Sequence, residues 1–309
     1  MAGFSASAAI LSGFRMIGRH PGVVLAWGVA YVAVALVPLI ALFWGELPTL
    51  LGLYARMMQG LIAGAPPTVN DPEMMRLQGL LVAFEATQAG LNLLAVALVS
   101  SAVYRAVLEP ERKAFAYLRV GLQELWVGLS LLALYLLLIF VAFTGALTVG
   151  LLAQGLGAGS WGGGLIVFLA GCGMVALVIW LALRLSLAAP MSFAGRRFEL
   201  SRAWPLTEGQ GWRLFGLALA LVSVILLVQM VLATVGDVLG MGAALTKIDD
   251  LKAFLANPTA NPARMAPAVL GLGVLQVLVS ALSFTLWTTP FAELYREQSK
   301  PGVVAKTEA

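Results

Sequence analysis

The chain of 309 residues is 61% hydrophobic and only 11% charged, with a formal net charge of +4. Soluble domains carry about 25% charged residues, so the polar surface is too small to keep a globule of this length in water. One cysteine, Cys172, excludes an intramolecular disulfide, and one histidine, His20, excludes a histidine-based metal cluster within one chain. The basic residues border apolar stretches instead of forming a stripe, which points to lipid headgroups and excludes nucleic acid as the partner.

Six apolar stretches dominate: residues 23–44, 79–108, 126–153, 164–189, 212–236 and 267–289. A hydrocarbon core about 30 Å thick needs roughly 20 apolar residues of helix, and each stretch reaches that length. The expected fold is an all-α integral membrane protein: six transmembrane helices in one membrane domain over 1–309, with amphipathic interfacial helices on the cytoplasmic side.

The segment FSASAAILSGFRMIGRHPG opens the chain, with Phe4, Ile10, Leu11, Phe14 and Ile17 opposite Ser5, Ser12, Arg15 and Arg19. That pattern predicts a helix in the membrane plane. The 23–44 stretch exceeds a signal-peptide core and reads as a retained first span. After it, TLLGLYARMMQGLI is expected on the outer interface, and APPTVNDPEMM supplies a turn, with Asp71 as N-cap and Pro72 at the first helical position of the second span.

In ERKAFAYLRVGLQELW, which precedes the third span, helical spacing gathers Phe115, Leu118, Leu122, Leu125 and Trp126 on one face, away from Arg112, Arg119, Gln123 and Glu124. The spacing predicts a second interfacial helix. GLGAGSWGGG resembles a phosphate loop superficially, but no lysine follows, so it reads as a tight hairpin before the fourth span. Pro190 is expected to end that span. The segment SFAGRRFELSRAWPLTEGQGWR, broken by Pro205 and Gly209, predicts a bent elbow. Gly236, at the end of the fifth span, and Gly240 have small-xxx-small spacing, and TKIDDLKAFLANP reads as a short surface helix before the sixth. An interfacial segment followed by two spans thus occurs three times, over 1–108, 111–189 and 192–292; three unrelated juxtamembrane linkers are the alternative.

Fourteen of the nineteen lysines and arginines lie in segments 1–22, 105–125, 184–213 and 290–309. The positive-inside tendency therefore predicts cytoplasmic termini.

Polar residues at membrane depth are the first candidates for function. Glu85, Gln88 and Asn92 share a face of the second span, Gln229 and Asp237 lie on the fifth, and Gln276, Ser280 and Ser283 line a face of the sixth. They form a candidate polar cavity. The competing account makes Asn92, Gln229 and Gln276 interhelical hydrogen bonds, and Glu85 and Asp237 interfacial residues in headgroups or water. Arg184 suits an anchoring role at its span end, and with Arg196, Arg197 and Arg202 it forms a candidate lipid-phosphate site, since guanidinium forks match phosphate oxygens. No nucleophile elbow, Walker sequence, metal-ligand spacing or histidine base beside a serine or cysteine is present. No cofactor or metal is expected.

The stretch from Arg184 through RLSLAAP to SRAWPLTEGQGWRLFGLALAL resembles the corresponding region of bacterial six-span proteins related to the membrane domain of glycerophosphoryl diester phosphodiesterases. In that family an arginine and a proline close one span, and an Arg-Ala/Ser-Trp turn with a Leu-Thr-x-Gly step leads into the next. The resemblance is specific over 184–220 and architectural elsewhere. It implies a bacterial inner-membrane protein; the family's catalytic barrel has no counterpart here, so neither its catalysis nor its metal carries over. The expected function is a non-catalytic scaffold or accessory in envelope or lipid-related processes, with membrane lipids and a membrane protein as partners. The alternatives are a transporter or lipid-handling protein using the polar cavity, and a small intramembrane enzyme.

Overall fold

The computed structural model describes residues 6–50, 52, 72–111, 114–156, 160–238 and 262–299. Among them the secondary structure is helical throughout: α1 (Ala6–Arg19), α2 (Pro21–Tyr31), a π-helical turn (Val32–Leu36), α3 (Val37–Phe43), α4 (Pro72–Leu108), a 3-10 turn (Ala114–Tyr117), α5 (Leu122–Gly155), α6 (Trp161–Arg184), α7 (Ala188–Gly195), α8 (Ala203–Leu206), α9 (Gly211–Val238) and α10 (Pro262–Gln298). Six stretches, Pro21–Phe43, Met75–Leu108, Phe115–Gly155, Trp161–Gly195, Gly211–Val238 and Leu270–Gln298, are long and apolar enough to cross a membrane. The chain is an all-α, multi-pass membrane protein.

Local chemistry accounts for most boundaries. The π-helical turn ends two residues before Pro38, which lies in the first turn of α3. Proline has no N–H and its ring presses on the carbonyl four residues back, so widening the helix there lets the span continue. α4 begins at Pro72, as expected, while Asp71, the surface segments proposed at 49–62 (apart from its start) and 246–258, and Gly240 lie outside the described residues. The hairpin between the third and fourth spans re-enters helix at Ser160, whose hydroxyl accepts from the Gly163 N–H at 3.1 Å. That is an N-cap bond on an otherwise orphan donor.

Three expectations about the juxtamembrane segments have different outcomes. The first forms the predicted helix, α1. The second does not: Phe115, Ala116 and Tyr117 all have left-handed φ (52°, 55° and 64°), and helix resumes only at Leu122. Phe115 (88% exposed), Val120 and Leu122 stand on the surface there. Spacing alone suggested a helix, but the backbone turns over before α5. The third is the expected elbow, with Gly209 at φ 73°. Pro190 does not end the fourth span: α6 stops at Arg184, and Pro190 sits in the first turn of α7, where its missing N–H costs nothing.

The chain divides into two compact units. One comprises Met1–Arg19, Ser100–Ser223 and Thr285–Ala309. Its centre is α7, where Ala188 through Phe193 are all buried. Leu185, Leu187, Met191, Leu214, Leu217, Leu221, Phe291 and Leu294 form one core cluster, and Tyr104, Val107, Val127, Phe193 and Ala292 another. α5 and α6 pack as a hairpin whose outward residues, among them Phe140, Phe143, Phe168 and Leu169, are exposed as lipid-facing side chains should be.

The second unit comprises His20–Val99 and Val224–Phe284. There Gly28 on α2 lets α10 approach so closely that a Cβ would lie 2.3 Å from the Val277 carbonyl oxygen and 2.8 Å from the Ala281 Cβ. Small residues at such crossings supply the van der Waals contact that lipid cannot. Tyr31 packs on Phe284 at 4.8 Å between ring centroids, and Phe43 on Phe84 at 5.1 Å. A Cβ on Gly236 would meet Leu275 Cδ2 at 3.0 Å, consistent with close helix contact at the first of the two paired glycines.

Candidate functional site

Charged side chains concentrate at the span ends of the first unit. Arg105, in the last turn of α4, is 2% exposed, and Glu124, in the first turn of α5, is 8% exposed; the two form an ion pair. A buried ion pair holds only if its remaining donors and acceptors are met. Arg105 Nη1 donates to the Tyr117 carbonyl at 2.5 Å, and Nη2 also reaches Gln123 Oε1 at 3.5 Å. The guanidinium lies 5.5 Å from the Phe193 ring centroid. Gln123 Nε2 in turn donates to Glu109 Oε1 at 3.3 Å and to the Phe193 carbonyl at 3.4 Å. Left-handed backbone costs a non-glycine residue about 1–2 kcal/mol, so the donation from Arg105 to the Tyr117 carbonyl helps hold the turn.

A second cluster surrounds Glu199, which is buried. Arg197 pairs with its carboxylate, and Arg202 Nη1 reaches the same oxygen at 3.3 Å. The Glu199 N–H donates to Ser192 Oγ at 3.1 Å, and the Ser192 and Ser130 hydroxyls are 2.7 Å apart. Arg196 caps α7 in the left-handed region (φ 51°) and is exposed.

Arg184 has different neighbours. Its guanidinium carbon lies 5.6 Å from the Trp180 ring centroid and 5.5 Å from that of Trp204, whose rings meet edge to face at 5.1 Å. Trp180 is one helical turn back on α6, and Trp204 comes from α8. The Thr207 hydroxyl lies 2.9 Å from the Arg184 carbonyl, within reach of an orphan acceptor at the helix end. Arg184 Nε and Nη1 are buried and have no hydrogen-bond partner among the described residues.

Of the four arginines of the candidate lipid-phosphate site, the structure therefore brings Arg197 and Arg202 together on a carboxylate and sets Arg184 against a pair of touching indoles. The candidate cavity residues all belong to the second unit. Glu85, Gln88, Asn92, Gln229 and Asp237 are exposed, and Gln276 is half-buried. Asn92 Oδ1 accepts from the Tyr31 hydroxyl at 2.8 Å, and Gln276 Nε2 donates to Ser280 Oγ at 3.3 Å. The first joins α2 to α4, as the interhelical account expects, whereas the second lies within α10. Sequence reasoning placed Arg105 only in a basic segment, Glu124 only off an apolar face and Trp204 only in the turn that carries the resemblance, and missed Glu199 and Trp180. An arginine and a glutamate at facing ends of successive spans, and one acidic residue amid Arg196, Arg197 and Arg202, were the available signals.

No protein-family model, no curated protein and no solved structure matches the chain. Fold and site together define a class: a six-span, all-helical membrane protein whose buried charges gather at span ends.

Proposed function

We propose that the chain is a non-catalytic scaffold or accessory protein of the bacterial inner membrane, working in envelope or lipid-related processes with both termini in the cytoplasm. The observation that carries this reading is how the polar groups are used. Arg105, Glu124, Gln123, Ser130, Ser192 and Glu199 bond to one another and to backbone, which fixes a set of span ends and the segments joining them. Asn92 and Gln276 likewise spend hydrogen bonds on neighbouring side chains. A rigid end with lipid-exposed spans suits assembly better than passage of a substrate. The arginine bias of the same segments supports the cytoplasmic assignment. The likeness of residues 184–220 to the membrane domain of glycerophosphoryl diester phosphodiesterases belongs to the same proposal, and its residues Arg184, Trp204 and Thr207 are in mutual contact.

The test is complementation of a deletion strain by Asn92→Leu and Gln276→Leu. A scaffold keeps its function at normal abundance, because the interhelical bond lost with Asn92 is worth about 1 kcal/mol and the one lost with Gln276 lies within α10. Loss of complementation by a normally inserted, normally abundant variant would turn the assignment to a transporter.

A further inference from the structure

We infer that Arg184, Trp180 and Trp204 form a binding site for one phosphate group, supplied by a phospholipid headgroup. The inference rests on the lipid-related reading above and names its ligand. Its basis is an imbalance at a single side chain. Arg105 meets a carboxylate and a carbonyl, and Arg197 and Arg202 share Glu199. The Arg184 guanidinium carries only donors, yet Nε and Nη1 are both withdrawn from solvent with no acceptor among the described residues. Two indole faces offset part of that cost, but a ring quadrupole does not accept the directed N–H bonds. The missing partner is an oxyanion with more than one acceptor, which a phosphate provides and to which a planar guanidinium is matched.

Position selects the membrane as the source. Arg184 is the last residue of a membrane-length helix, and Trp180 and Trp204, 42% and 38% exposed, have ring centroids 5.6 and 5.5 Å from its guanidinium carbon. Tryptophan collects where hydrocarbon meets headgroups, so a phosphate at that depth lies level with the guanidinium. The two rings form apolar walls for the glycerol and upper acyl carbons.

The experiment strips the full-length protein of lipid in detergent, reloads it with dioleoyl phosphatidylglycerol or dioleoylglycerol, and counts retained lipid by native mass spectrometry. The expected result is one tightly held phosphatidylglycerol per chain, little retained dioleoylglycerol, and occupancy reduced about tenfold or more by Arg184→Gln, in line with losing charge-assisted hydrogen bonds. Arg197→Gln keeps the lipid, because that guanidinium is already on Glu199. Trp204→Phe, a milder change, weakens retention and keeps the inference testable if Arg184→Gln is not recovered folded. Inorganic phosphate alone raising the melting temperature of wild type but not of Arg184→Gln supports the phosphate chemistry and assigns its source to water. Equal retention of the two lipids by wild type, undiminished retention by Arg184→Gln, or an equal loss with Arg197→Gln overturns the site. None of these outcomes depends on complementation by the Asn92 and Gln276 variants, so the site and the scaffold reading fail separately.

Discussion

Arg105 and Glu124 form a buried ion pair that ties the end of α4 to the start of α5. Between them the chain makes a turn with three left-handed residues, and the carbonyl of the last, Tyr117, accepts from the same arginine. One guanidinium therefore joins two spans and steadies the strained connection.

Removing one partner leaves the other charge buried and alone. Arg105→Leu and Glu124→Leu are each expected to destabilise the protein by about 3–5 kcal/mol. The double variant should recover part of that loss, because no lone charge remains, but not all, because Tyr117 keeps an unmet carbonyl. Denaturation in a mild detergent followed by proteolysis reads the three values. Two single losses that simply add in the double variant would mean the pair is not coupled.

Gly28 and Gly90 offer a paired test of helix approach. A Cβ on Gly28 overlaps the Val277 carbonyl oxygen, whereas one on Gly90 meets nothing within 4 Å. Gly28→Ala should force α2 and α10 apart at a cost of about 1–3 kcal/mol. Gly90→Ala should be neutral or stabilise by up to about 1 kcal/mol through helix propensity. Melting temperatures of the two purified variants decide, and equal effects would count against the crossing at Gly28.

Orientation is open to thiol labelling, since Cys172 is the sole native cysteine. In a Cys172→Ser background, Ser201→Cys and Trp161→Cys place single thiols at exposed positions on the third juxtamembrane segment and at the start of α6. A membrane-impermeant maleimide added to spheroplasts is expected to label position 161 and spare 201 until the membrane is opened. Labelling of 201 in intact spheroplasts reverses the proposed topology.

The spans were legible because lipid solvation is read locally: a run of apolar residues long enough to cross declares itself without reference to any other part of the chain. The start of α4 at Pro72 and the elbow at Gly209 were legible for the same reason, being properties of proline and glycine backbones. Helical spacing misled over residues 114–121, where the periodicity exists but the Tyr117 carbonyl is held by an arginine from another helix. Pro190 misled in a related way, because proline suits the first turn of a new helix as well as the end of an old one.

The candidate site divides along the same line. That arginines would crowd residues 184–213 was written in the sequence, and charge bias along a chain is enough to show it. Which of them is neutralised was not. Arg197 and Arg202 meet Glu199, while Arg184 meets Trp180 from its own helix and Trp204 from α8. Composition fixes what solvent each segment prefers, since that depends on the segment alone. The pairing of a charge depends on where distant segments come together, and only the packed helices decide it.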